Sequence, residues 1–159
     1  MIIINKRNLF FLISVWLLST LLSAQNVTIS TPHTQLLLSV PNGGTPEQLY
    51  YGSRTSDADI RSICETARRR NAYPVYGMGY PCETALSVRH ADGNLTLQMA
   101  VIGVKETRLT KENATLTVIE LKDKVYPFFV NICYKAWQDA DVIETWTEIR
   151  HEEKKPVQL

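Results

Sequence analysis

Three cysteines, Cys64, Cys82 and Cys133, are too few, and odd in number, for a disulfide scaffold. One pair can form, but the spacing does not say which. There is no Cys-x-x-Cys and no His-x-x-x-His, and His33, His90 and His151 lie far apart, so no metal site is expected. A Gly-x-Ser-x-Gly nucleophile turn and a phosphate-binding loop are also missing, and nothing in the sequence implies a cofactor. Charge of one sign is scarce: 17 basic residues stand against 16 acidic ones. A near-neutral chain offers no electrostatic footprint for nucleic acid or an anionic membrane. The one basic cluster is "RRR" at Arg68 to Arg70.

Long apolar runs are absent too, except at the start. "MIIINKRN" carries Lys6 and Arg7, "LFFLISVWLLSTLL" is uncharged and apolar, and "SAQN" supplies small residues. These are the three zones of a secretory signal peptide over residues 1–24, with cleavage expected after Ala24. No later segment approaches the ~20 apolar residues of a membrane span. Losing Lys6 and Arg7 leaves 15 basic residues against 16 acidic, a net charge of −1. The expectation is a secreted or periplasmic chain, free of the membrane after cleavage. No cysteine directly follows the apolar run, so a lipoprotein anchor is not expected. Asn26, Asn94 and Asn113 begin Asn-x-Thr sites, and the last two mark surface turns.

What is present reads mostly as β-structure. "QNVTIS", "QLLLSV" and "QLYYG" are short β-rich runs separated by Thr-Pro and by "PNGGTPE". From Ser56 the period changes: Ile60, Ile63, Cys64 and Ala67 fall at i, i+3, i+4 and i+7, one face of a helix. Ser56 or Asp57 can cap it, and Arg68 to Arg70 are placed in its last turn, where cations complement exposed carbonyls. Cys64 on the apolar face is expected as a small buried hydrophobe. Beyond residue 84, Leu86 and Val88 share a face, Asp92-Gly93 forms a turn, and Leu95, Leu97, Met99 and Val101 continue the alternation. "TKENA" and "KDK" are further turns. Phe128, Val130, Ile132 and Tyr134 face one way; so do Ile143, Thr145, Thr147 and Ile149. Successive antiparallel strands of this kind make a β-sandwich, or part of one.

An active site carried by this chain alone is not expected. Glu144 and Glu148 lie on one strand at a separation of roughly 13 Å, whereas glycosidase carboxyl pairs sit about 5 to 9.5 Å apart. Neighbours of opposite sign such as Arg150 suggest cross-strand pairing instead. At the other end, "IRHEEKKPVQL" reads as a strand end, a charged turn and a new strand starting at Pro156. That strand stops after a few residues, which suggests a domain incomplete at its C-terminus.

"YPVYGMGYPCETALSVRHADGN", "LKDKVYPFFVNICYKAW" and "DVIETWTEIRHEEKKPV" together resemble the N-terminal domain of glycoside hydrolase family 36 α-galactosidases. "YYGSRTSDADI" looks like the segment leading into that domain's short helix. The resemblance runs from about Val27 to the last residue. It implies a mainly β fold, an antiparallel β-supersandwich, here partial, with one short α-helix over residues 25–159. It also implies an exported enzyme that hydrolyses terminal α-galactosides, with a TIM barrel in the same polypeptide as the domain's partner. The family's two catalytic aspartates lie in that barrel, so no catalytic residue is carried over to this chain.

In tetrameric family members the segment matching Tyr73 to Leu86 lies near a neighbouring subunit's sugar pocket. This chain keeps Tyr73, Pro74, Tyr76, Gly77, Gly79, Glu83, Ala85 and Leu86 of that pattern. It departs at Tyr80, Pro81 and Cys82, where the family often has Asp-Phe-Arg. The candidate contacts to an α-galactoside are therefore Tyr76, Tyr80 and Glu83, with the loop also a contact within a homo-oligomer. Two other classes stay open: a free-standing exported carbohydrate-binding module, with Trp137, Trp146 and the loop tyrosines as platform, and a structural β-sandwich that mediates assembly.

Overall fold

The computed structural model describes residues 25–159; the expected signal peptide lies outside them. Eight strands form two four-stranded antiparallel sheets. The first sheet, in spatial order, is β1 (Gln25–Ser30), β2 (Thr34–Val40), β3 (Glu47–Ser53) and the short β4 (Arg70–Asn71). The second is β5 (Met99–Leu109), β6 (Ala114–Asp123), β7 (Phe128–Trp137) and β8 (Val142–His151). Each strand pairs with its neighbour in sequence; short turns make most of these connections, while a helix lies between β3 and β4.

The alternation seen in the sequence builds the core. Val27, Ile29, Leu36, Leu38 and Val40 of the first sheet share one apolar cluster with Ile119, Leu121, Phe128, Val130 and Ile132 of the second. Phe128 and Val130 are fully buried; burying each such side chain contributes about 1.5–3 kcal/mol. The other face of β2 is buried too, through Gln35, Leu37 and Ser39. The helix α1 (Asp57–Thr66) lies on that side: it contacts β3, and the Asn26 amide reaches Cys64 Sγ at 3.2 Å.

Ser56 caps α1. Its hydroxyl accepts from the Asp59 amide at 3.3 Å while Asp59's carboxylate accepts from the Ser56 amide, a reciprocal capping box. Two expectations for this helix are corrected. Cys64 is only half-buried, and no residue of α1 is fully buried, because the helix lies on the outer face of the first sheet, away from the apolar cluster shared by the two sheets. The arginines are not in its last turn. Ala67 leaves helical geometry (φ −64°, ψ 141°), and the chain extends so that Arg70 can pair with Gln48 of β3.

Between β4 and β5 the chain is irregular. Leu86 and Val88 are buried as expected, yet this stretch forms no strand and pairs only through two isolated bridges, Val75 with Leu86 and Arg89 with Gln158. Leu95 is exposed and β5 begins only at Met99. The reason is local: Asn94's side chain accepts from the Thr96 amide, which competes with a ladder. The Asp92-Gly93 turn forms as expected, with Gly93 at φ +91° and the His90 amide donating to the Asn94 carbonyl.

Candidate functional site

The loop from Tyr73 to Leu86 is anchored at its base and open at its tip. Tyr73 and Val75 are buried. Three backbone bonds hold the base: the Ala85 amide to the Pro74 carbonyl (2.7 Å), Tyr76 to Leu86 (3.0 Å) and Leu97 to Tyr76 (3.0 Å). Gly77 sits at φ +98°, and a Cβ there would lie 2.6 Å from Thr96 Cγ2 and 2.9 Å from its Cα. Only glycine fits, for conformation and for space. The fixed base presents Tyr76, Met78 and Tyr80 to solvent, each between 42% and 50% exposed.

The structure does not gather the three candidate sugar contacts. Tyr76 lines an open groove of about 550 Å³ together with Val88, Arg89, Leu95 and Gln158. Tyr80 lines a separate depression of about 450 Å³ with Arg68, Arg69, Arg70 and Asn71. Glu83 is exposed and lines neither. Glu144 and Glu148 do not pair with Arg150. Glu144 accepts from Trp137 Nε1 at 3.1 Å, and Glu148 accepts from Trp146 Nε1 and Asn131. Arg150 instead bonds Glu152 and stands 4.1 Å over the Phe129 ring. Among the described residues no group of three or more His, Cys, Asp or Glu side chains is placed to hold a metal.

A polar cluster that sequence reading missed lies beneath the Asp92-Gly93 turn. The buried His90 ring donates from Nδ1 to Glu153 at 2.7 Å, and Glu153's second oxygen accepts from the Ala91 amide at 2.9 Å. Tyr126 stacks on His90 with ring centroids 3.7 Å apart, and its hydroxyl reaches Asp92 at 2.8 Å. Burial pushes the Glu153 carboxyl up, but the Ala91 amide, the His90 bond and the nearby histidine charges together hold it below its usual range. Asp92 is lowered by the Asn94 amide first and the Tyr126 hydroxyl second. Cys133 is a buried thiol, pushed up to about 11 chiefly by desolvation, and so is inert.

The family model "Glycosyl hydrolase family 36 N-terminal domain" matches residues 44–159. The chain belongs to that family. Solved structures agree in fold. The GH36 α-galactosidase AgaA from Geobacillus stearothermophilus superposes with a TM-score of 0.71 at 15% identity, over 84% of this chain and 23% of that one. The α-galactosidase from Lactobacillus brevis gives 0.66 at 16% identity, over 79% and 21%. The galactosidase domain of the α-galactosidase–sucrose kinase AgaSK gives 0.66 at 20%, over 82% and 22%. The chain therefore spans less than a quarter of the length of these enzymes. No curated protein matches it. Within this family 36 domain, the blocks that carry the resemblance meet in space: His90 and Asp92 from "HADG", Tyr126 from "VYPFF" and Glu153 from "HEEKKPV" all belong to this polar cluster.

Proposed function

We propose that this chain is the N-terminal β-supersandwich domain of an exported α-galactosidase, supporting a catalytic barrel in the same polypeptide and the assembly of subunits. The observation that carries this reading is the family match over residues 44–159, with a shared fold in enzymes of which it spans under a quarter. The chain contributes no catalytic residue. Its contribution is the loop of Tyr76, Tyr80 and Glu83, whose rigid base and exposed tip suit contact with a neighbouring subunit or with the sugar it holds. Export rests on the signal-peptide pattern of residues 1–24.

The alternative, a free-standing carbohydrate-binding module, is less well supported. Its tryptophan platform is engaged elsewhere: Lys135 Nζ lies 3.9 Å over the Trp137 ring, and Trp146 is half-buried. The deciding experiment captures the native polypeptide from source-cell extract with an antibody to "HADGNLTLQ". The captured band is assayed for galactose release from a chromogenic α-galactoside. A band several times larger than 18.1 kDa, with activity, supports the enzyme reading. A band at or below that mass without activity overturns it in favour of a binding module. N-terminal sequencing of the same band tests cleavage after Ala24.

A further inference from the structure

The arginine run has lost its plain explanation. As a helix end it would complement exposed carbonyls, but α1 stops at Thr66 and no basic residue lies in its last turn. Arg69 is accounted for: its guanidinium donates to Glu47 at 2.9 Å and to Ser39 at 3.3 Å. Among the described residues Arg68 and Arg70 pair with no carboxylate. Both are exposed, and both line the depression of about 450 Å³ that Tyr80 and Asn71 complete. Two unpaired guanidiniums in a domain with no excess of positive charge are a local, directed feature, not part of a general basic surface.

Two elements fix the shape of this depression. Pairing of Arg70 with Gln48 ties the arginine segment to the first sheet, and the Arg69–Glu47 bond adds a second tie. Tyr80 joins the lining from the loop tip, which Gly77 and Gly79 bend by taking positive φ, at +98° and +73°. A guanidinium presents planar paired donors that match a carboxylate or sulfate in a two-point bond. The half-exposed ring of Tyr80 offers an apolar face of the kind that stacks on the C–H face of a sugar.

We propose that this depression is a subsite for an acidic sugar, with Arg68 and Arg70 binding its carboxylate or sulfate and Tyr80 stacking on its ring. The proposal rests on reading the loop as a sugar contact and adds the substituent that its Tyr80 end selects. Asn71 supplies a further polar contact at the rim.

The test is titration of the full chain with galacturonate, galactose 6-sulfate, galactose and inorganic sulfate, followed by calorimetry. Galacturonate and galactose 6-sulfate are expected to bind saturably, with Kd on the order of 1 mM or tighter, and galactose at least tenfold more weakly. Affinity for both acidic sugars should fall as salt is raised. Substituting Arg68→Ala and Arg70→Ala together should cost at least tenfold for both acidic sugars and leave galactose unchanged. The pair Arg68→Lys and Arg70→Lys, which keeps the charge but not the planar fork, should lose part of that affinity. Tyr80→Ala should weaken the acidic sugars and leave inorganic sulfate as it was.

Acidic sugars binding no tighter than galactose would overturn the proposal while leaving the loop as a sugar contact. No binding of any sugar would overturn both. Sulfate and acidic sugars bound equally and without regard to Tyr80 would mean an adventitious ion only, and would overturn the sugar site. A double alanine variant that changes the sedimenting mass, with sugar affinity unchanged, would make the arginines a subunit contact instead.

Discussion

His90 and Glu153 are 63 positions apart in sequence and 2.7 Å apart in space, and their pairing closes the charged segment after β8 onto the Asp92-Gly93 turn. Because the Glu153 carboxyl is held below its usual range when folded, the folded state binds its proton less readily than the unfolded chain. That contribution to stability is present above the unfolded carboxylate pKa and is lost as pH falls through the depressed native value. Asp141 acts in the same direction, lowered first by the Thr31 hydroxyl, with the His33 amide adding to it. The urea midpoint should therefore drop steeply as pH is taken from about 5 to about 3. Glu153→Gln should flatten part of that slope and lower stability at neutral pH by roughly 1–3 kcal/mol. An unchanged slope in the variant would show that Glu153 does not carry it. Gly77 is the other residue to probe. Gly77→Ala meets Thr96 side chain and backbone at once, and should cost about 1–3 kcal/mol in urea unfolding. Gly79→Ala has strain but open space around it, so it should cost less.

At the scale of elements, α1 shows what a local pattern can and cannot reveal. Its N-terminus was legible, since Ser56, one of the two candidate caps, does cap it; the reciprocal bond to Asp59 was seen only in the fold. Its C-terminus was not. The end at Thr66 is set by Arg70 pairing with Gln48, a contact 22 residues long in sequence. β7 was legible from its period-2 alternation because its inner face, Phe128, Val130, Ile132, Tyr134 and Ala136, is apolar throughout, whereas the buried face of β6 sets Thr117 and Asp123 beside Ile119 and Leu121. The Asp92-Gly93 turn was legible, but the runs on either side of it, at Leu86–Val88 and Leu95–Leu97, are not strands, because Asn94's side-chain bond to Thr96 and the Arg89–Gln158 bridge depend on no such period. The candidate loop was legible as a loop, but Tyr76 and Tyr80 fall into different depressions because two positive-φ glycines bend the tip between them. Since no residue of α1 is fully buried, Ser56→Ala should cost about 1 kcal/mol locally. Hydrogen exchange should quicken across residues 57–66, with little change in the global urea midpoint. Equal loss in both would mean that α1 unfolds only with the whole domain.

Across the whole molecule, the two sheets do not cover each other evenly. The second sheet meets the first through β7, which contacts β1 and buries Phe128, Val130 and Ile132. β8 lies one strand further out and has no fully buried residue, although Ile143, Thr145, Thr147 and Ile149 continue the core-facing alternation. Of these, Ile149 is 38% exposed and Ile143 is only partly buried. Among the described residues nothing pairs with the outer edge of β8. A ten-residue edge with apolar side chains on an uncovered face is a template for pairing with another strand. Residues 25–159 produced alone should therefore self-associate at micromolar concentration, seen as a mass above the monomer in sedimentation. Replacing Thr145→Lys and Ile149→Lys places like charges where two such edges would meet and should return the domain to monomer. These positions are outside the central core cluster, so the variant should keep its sheet signal in circular dichroism. If the unsubstituted domain stays monomeric with a sharp cooperative melt, β8 is a self-sufficient edge and the uneven cover has no consequence for assembly. If it associates and the lysines have no effect, the contact lies elsewhere, and the exposed tip of Tyr76, Met78 and Tyr80 becomes the next surface to substitute.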